Sequence, residues 1–193
     1  MLFFTSDQHY GHRNIISHCS RPFRDVEDMD ATLIARHNEV VGHDDDVWHL
    51  GDFALKPSVM RRVLPLLRGR HRLVMGNHDA CHPCHGHKAD ARRDEHLLAG
   101  FLELHTRTDI TLPAPVGQVL LCHMPMANAT VEFDERYLDW RPRVEDVGAR
   151  WLIHGHVHEK WRVRGRMLNV GVDVWDFRPV ALEEVMSVLR EGR

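Results

Sequence analysis

Seven side chains of this protein have the types and the spacing to grip metal ions. Asp7 and His9 lie two residues apart, as do His156 and His158, while Asp52, Asn77 and His123 each stand singly behind an apolar run. Residues i and i+2 of an extended chain point to the same side, so each pair can present two donors to one centre. The set holds four imidazoles, two carboxylates and one amide oxygen. Imidazole suits zinc, iron and nickel, and carboxylate and amide oxygens suit manganese and magnesium. Seven donors exceed one tetrahedral site and suit two divalent ions sharing a bridging carboxylate. Two ions about 3.5–4 Å apart clamp an in-line displacement at phosphorus, and water held by them loses a proton near neutral pH to become the nucleophile. Their charge also offsets the charge building on the phosphoryl oxygens.

Strands are needed to place these donors. Leu2–Phe4, Val47–Leu50, Arg72–Met75, Val119–Cys122 and Trp151–His154 are short apolar runs, each leading into one of the polar clusters. Short continuous apolar runs bounded by Gly read as buried strands, and ligands gather beyond the carboxyl ends of strands in open α/β sheets. Asp109–Leu112 reads as a further strand, and Arg162–Arg164 with Leu168–Val172 as a late hairpin. Helical spacing covers Glu27–Val41, Ser58–Leu67 behind Pro57, Asp90–Leu98 and Leu182–Leu189. Strands alternate with helices first, and a β-rich half follows. That order predicts an α/β sandwich, its sheets covered by helices. Segments 80–88 and 124–149 read as loops beside the clusters, where specificity elements would sit.

Bulk composition agrees with one globular domain over residues 1–193. Hydrophobic residues make up 43%, enough for a core, and charged residues 27%, below what disorder requires. A formal net charge of −3 argues against an overall basic nucleic-acid binder. Four cysteines form no dense disulfide framework. No apolar run approaches membrane-spanning length, and the first residues lack a basic, apolar leader pattern, so a cytoplasmic location away from membranes is expected.

Taken in order, Asp7/His9, Gly51-Asp52, Gly76-Asn77-His78-Asp79, His123 and Gly155-His156-Val157-His158 resemble the signature blocks of the calcineurin-like metallophosphoesterase superfamily. One block alone is weak evidence; five in register across most of the chain are specific. Asp7-Gln8-His9-Tyr10-Gly11-His12-Arg13-Asn14-Ile15-Ile16 is further similar to small stand-alone bacterial and phage members. The resemblance implies a four-layer α/β/β/α sandwich. It implies that Asp7, His9 and His158 hold one ion, that Asn77, His123 and His156 hold the other, and that Asp52 bridges both. By the same resemblance, His78 faces the substrate, stabilising the transition state or protonating the leaving oxygen. Asp79 would orient His78 through a hydrogen bond. Family members use manganese, iron, zinc or nickel, with manganese the expected pair here. The Asn169–Asp173 stretch also resembles a family segment near the site.

The expected function is therefore hydrolysis of a phosphate mono- or diester, of a small molecule or nucleotide, by metal-bound hydroxide. A metal-dependent nuclease acting on DNA or RNA and a non-enzymatic interaction scaffold are the alternatives. His12, Arg13 and Asn14 follow the first ligand loop and are candidates for substrate phosphate or for starting a helix. His49 and His154, on apolar strands, read as buried and hydrogen-bonded rather than ligating. Cys81-His82-Pro83-Cys84 resembles half of a zinc site but has no second half. Arg61, Arg62, Arg68, Arg70 and Arg72, and later Arg162, Arg164 and Arg166, form a solvated charged face or, alternatively, a nucleic-acid groove.

Overall fold

The computed structural model describes residues 1–127, 135–148 and 150–191. In chain order its elements are β1 (Leu2–Thr5), α1 (Arg13–His18), α2 (Val26–Val40), β2 (Asp46–His49), α3 (Pro57–Val63), β3 (Arg70–Val74), α4 (Lys88–Ala99), β4 (Leu104–His105), β5 (Arg107–Leu112), β6 (Gly117–Cys122), α5 (Val144–Val147), β7 (Trp151–His154), β8 (Val163–Arg164), β9 (Met167–Asn169), β10 (Val180–Ala181) and α6 (Leu182–Glu191). Two five-stranded sheets result, ordered β10-β1-β2-β3-β4 and β5-β6-β7-β9-β8. Within the first, β1 to β4 run parallel and β10 antiparallel. In the second, β6, β7 and β9 run parallel between antiparallel β5 and β8.

Period-2 alternation decides which residues meet. Phe4, Trp48 and Val74 of the first sheet pack with Val119, Leu121, Trp151, Ile153 and Leu168 of the second, and α6 closes this inner core with Val185, Met186 and Leu189. Their strand neighbours face outward. Leu73 packs beneath Ile15, Met29, Leu33, Met60 and Val63 of α1, α2 and α3. Leu120, Cys122, Leu152 and Met167 pack on Val147 of α5 and on Tyr137 and Trp140. Helix, sheet, sheet and helix are thus stacked in the expected four layers.

Departures from the expected boundaries have local causes. The predicted helix Ser58–Leu67 is α-helical only to Val63 and tightens into a 3₁₀ turn over Leu64–Leu66, because Pro65 has no N–H to donate. Strand β9 ends at Asn169, whose side chain accepts from Gly171 N at 2.8 Å and turns the chain away from the ladder. Loop 124–149 contains a 3₁₀ segment Glu135–Trp140 and α5; residues 128–134 and 149 of it lie outside the described residues. No helix among the described residues is long and apolar enough to cross a membrane.

Histidines are also built into the packing. His49, on the outer face of the first sheet, pairs through Nε2 with His71 Nδ1 at 3.0 Å, and its Nδ1 lies 3.2 Å from Gln8 Nε2. His37 joins them, its Nε2 at 2.8 Å from Arg68 O. Burial lowers His37 to about 4 and His154 to about 3, and it pushes His49 and His71 down as well. In the unfolded chain each returns to about 6.5. Between those values the unfolded state takes up protons that the native state refuses, so stability is lost as pH falls below about 6.5. The urea midpoint should therefore be lower at pH 5 than at pH 7.5, and His37→Gln should shrink the difference; equal midpoints would contradict this account.

Candidate metal centre

Each parallel strand delivers its donors through a sharp local turn. Among the described residues, eight non-glycine positions have positive φ, and five are ligand candidates: Asp7 (59°), His9 (53°), Asp52 (54°), His156 (71°) and His158 (50°). This left-handed region costs about 1–3 kcal/mol per non-glycine residue and persists only where the surroundings enforce it. Backbone bonds between the turns do so: Asp7 N donates to Gly51 O at 3.0 Å, His9 N to Asp52 O at 2.9 Å, and Gly155 N to His123 O at 3.0 Å. The glycines of the motifs permit the approach. A Cβ on Gly155 would collide with Ser6 Oγ and the Asp7 carboxylate, and one on Gly76 with the Asp52 carboxylate and amide.

The seven predicted donors converge into two groups. Asp7, His9 and His158 form one, with ligand atoms within 4.8 Å of one another. Around His123 Nε2 lie Asn77 Oδ1 at 3.1 Å, His156 Nδ1 at 3.3 Å and Asp52 Oδ2 at 3.4 Å. Donors bound about 2.1 Å from one ion are separated by roughly 3.0–3.4 Å, the edge of an octahedron or tetrahedron. Asp52 Oδ2 is also 3.5 Å from His9 Nε2, so one carboxylate oxygen faces both groups. Its other oxygen accepts from His78 N at 2.8 Å.

The donor chemistry fits divalent cations. His9 is 1% exposed, yet neither ring nitrogen has a hydrogen-bond partner among the described residues. A buried imidazole left so is costly, and a metal supplies the partner. Burial pushes His9 and His156 well below their ordinary range, which leaves neutral rings with a lone pair to offer. His123 is raised to about 9: burial opposes its charge, but the Asp52 carboxylate beside it prevails. Its Nδ1 is anchored on Leu50 O at 2.7 Å, which aims Nε2 into the cluster.

Around the donors the remaining candidates fall in different places. His12 lies against the centre, its ring 5.3 Å from that of His9 and 6.5 Å from that of His78. Arg13 and Asn14 are instead exposed first-turn residues of α1 with no described contact to the cluster. His78 is exposed, its ring 5.5 Å from that of His9. Asp79 does not orient His78. It is buried, with Oδ2 accepting from Asp52 N at 2.9 Å and Gly76 N at 2.8 Å, and Oδ1 from Phe53 N at 2.9 Å. The turn that exposes His78 points Asp79 the opposite way, so Asp79 clamps the Asp52 loop to the Asn77 loop. Burial and the Asp52 charge raise Asp79 to about 7 despite these amides. His49 and His154 are buried and hydrogen-bonded as expected, His154 through Nδ1 at 2.7 Å from Gly155 O. Among the described residues no potential metal group includes Cys81 or Cys84.

Supporting residues emerge that motif reading did not single out. Arg21 is fully buried and donates through Nη2 to Asp7 O at 2.7 Å, through Nη1 to Gln8 O at 3.0 Å, and to both Asp173 oxygens at 2.7 and 2.8 Å. Asp173 Oδ2 in turn lies 3.5 Å from His158 Nδ1. Asn169 Nδ2 donates to His158 O at 2.8 Å. Arg141, 4% exposed, places Nη2 3.4 Å from His156 Nε2. An outward buried arginine has no local signature, although the Asn169–Asp173 segment carried a hint of its partner.

A two-sheet α/β sandwich with an Asp/His/Asn cluster beyond its strand ends is the arrangement of the metallophosphoesterase fold. The chain belongs to the calcineurin-like phosphoesterase superfamily, whose domain model matches residues 2–172. It is 34% identical over 206 aligned residues to the gene 66 protein of Mycobacterium phage L5, covering 97% of this chain and 93% of that one. It is 30% identical to the uncharacterized protein MJ1445 of Methanocaldococcus jannaschii, covering 100% and 93%. A solved structure, the protein of unknown function AQ665 from Aquifex aeolicus, is similar with a TM-score of 0.70 at 27% identity, covering 97% and 98%. These relatives are small stand-alone proteins.

Asp173→Asn tests the outer layer. Removing its charge beside His158 should weaken binding of one manganese ion by about 10–100-fold, the usual range for a residue that orients a ligand. Titration with a metal indicator measures it; an unchanged affinity would assign Asp173 to fold support alone.

Proposed function

We propose that this chain is a binuclear-metal-dependent phosphoesterase acting on phosphate mono- or diesters. The observation that carries this reading is Asp52 Oδ2, set 3.5 Å from His9 Nε2 and 3.4 Å from His123 Nε2, one oxygen shared by two donor groups. Asp7, His9 and His158 would hold one ion, Asn77, His123 and His156 the other, and Asp52 both. Mixed imidazole, carboxylate and amide donors accommodate manganese, iron, zinc or nickel, and manganese is the proposed pair. When bound, such ions supply Lewis-acid charge at phosphorus and lower the pKa of the attacking water.

The chain's own residues supply the remaining work. His78, exposed beside the cluster and held by its amide on Asp52, can donate a proton to the departing ester oxygen. His12, its ring 6.5 Å from that of His78, would contact a phosphoryl oxygen. Asp79, by clamping Asp52 and Gly76, keeps the His78 amide and the bridging carboxylate in register. The nuclease alternative loses ground because most of the first arginine cluster is already paired. Arg62 meets Asp30 at 3.1 Å, Arg70 meets Asp46 at 2.7 Å, and Arg72 meets Asp46 and Glu103 at 2.6 and 3.0 Å.

Manganese-loaded protein should hydrolyse bis-p-nitrophenyl phosphate, and Asp52→Asn should abolish both turnover and full metal occupancy. His78→Asn should keep the metal but lower kcat by about 10²–10⁴-fold for an alkyl ester, with a smaller loss for a nitrophenyl ester, whose leaving group needs no proton. Loaded protein that cleaves neither monoesters nor diesters would overturn the reading.

A further inference from the structure

Beside the metal centre lies a cleft whose chemistry the hydrolase reading does not use. It encloses about 280 Å³ and is lined by Leu55, His78, Ala80, His85, Lys88 and Arg92. His78 is common to both: one wall of the cleft is the residue that borders the cluster, 5.5 Å from His9 between ring centroids. Leu55 follows the Asp52 loop, and Ala80 and His85 follow the Asn77 loop. A substrate whose phosphoryl group sits against His78 therefore has this cleft as its adjoining space.

The lining is cationic. Lys88 and Arg92 stand one turn apart on one face of α4 and reach the same space. His85 adds an imidazole, and among the described residues no carboxylate lines the cleft. Arg92 Nη1 is 2.6 Å from Glu95 Oε2, but Glu95 also pairs with Arg61, so one carboxylate answers two guanidiniums. Lys88 has no ion-pair partner among the described residues. Asp46 likewise answers both Arg70 and Arg72, but Glu103 adds a second carboxylate there, and Asp30 pairs with Arg62. A lysine with no carboxylate partner beside a guanidinium that has only a share of one suits an anionic ligand group. The volume is at the lower end of small-molecule sites, roughly 300 Å³, which admits one phosphoryl group and a few attached atoms. Leu55 and Ala80 supply the apolar flank against which those atoms can lie.

We propose that Lys88 and Arg92 form a subsite for a second phosphoryl group, so that the preferred substrates are phosphate esters carrying another phosphate next to the scissile one. The proposal rests on the phosphoesterase reading for its orientation. A nucleoside polyphosphate and the terminal phosphate of an oligonucleotide present the same chemistry.

Binding is read without turnover by calorimetric titration of the manganese-loaded chain with methylphosphonate and methylenediphosphonate. The second phosphonate should tighten binding to the wild type by about tenfold. In the double variant Lys88→Gln/Arg92→Gln that advantage should fall to about twofold or less, and Lys88→Arg with Arg92 intact should retain it. Kinetics identify the source of the second phosphate. A kcat/KM preference for a nucleoside diphosphate over its monophosphate supports a small nucleotide. A preference for a 5′-phosphorylated dinucleotide over its 5′-hydroxyl form supports an oligonucleotide end. Equal affinity of the wild type for the two phosphonates, or a ratio untouched in the double variant, overturns the subsite. Failure of every ester to turn over, with the phosphonate ratio intact, removes the hydrolase and leaves the anion subsite standing.

Discussion

Two buried carboxylates cannot sit side by side without positive charge between them. Asp7 and Asp52 are 0% and 1% exposed and bring oxygens within 4.8 Å of each other and of His123. Burial and the nearby Asp52 charge raise Asp7 above the ordinary carboxylate range, although His158 and His123 pull the other way. Asp52 is driven well below that range: burial resists its charge, but His123 and His9 outweigh the resistance. Such a cluster is poor as a structural core and good as a cation trap, because an ion satisfies both carboxylates and the imidazole lone pairs together.

That constraint organises the loops around it. Asp79 gathers the amides of Asp52, Phe53 and Gly76, and Arg21 gathers the carbonyls of Asp7 and Gln8. Each is a buried side chain met by backbone groups of opposite polarity, so each fixes a ligand turn without entering the cluster. Helices and inner core then need only hold the strand ends at a common level. The parallel registers do this: Thr5 stands opposite His49, and Leu121 opposite Ile153.

The sandwich and the donors could be read in advance because both obey local rules. An apolar run of strand length leading into a donor reveals its place without reference to the partner strand, and the seven candidates lie beyond such runs. What stayed hidden depends on pairings distant in sequence. Arg21 meets Asp173 across 152 positions, and nothing in the residues around Arg21 marks it as special. Asp79 was visible as a motif member, but its orientation depended on how the turn at His78 divides adjacent side chains between solvent and core. Arg13 and Asn14 were proposed from proximity to His9, and helix α1 carries them outward instead. The Arg61–Arg72 cluster was ambiguous because a run of like charges does not disclose the carboxylates that face it.

Strain and charge at the centre are two aspects of one design. Five left-handed donors raise the energy of the loops, and two carboxylates with four imidazoles raise it further. Either load alone would favour relaxation: the turns would open or the carboxylates would take up protons. The interlocking bonds between loops prevent the first, since Asp7, His9 and Gly155 each donate their amide to a neighbouring ligand loop. Opening one turn therefore breaks the others, and the donors stay aimed at a shared point at the expense of stability elsewhere. A cation that binds there meets ligands already ordered, and the ordering cost that would weaken its affinity has been met during folding.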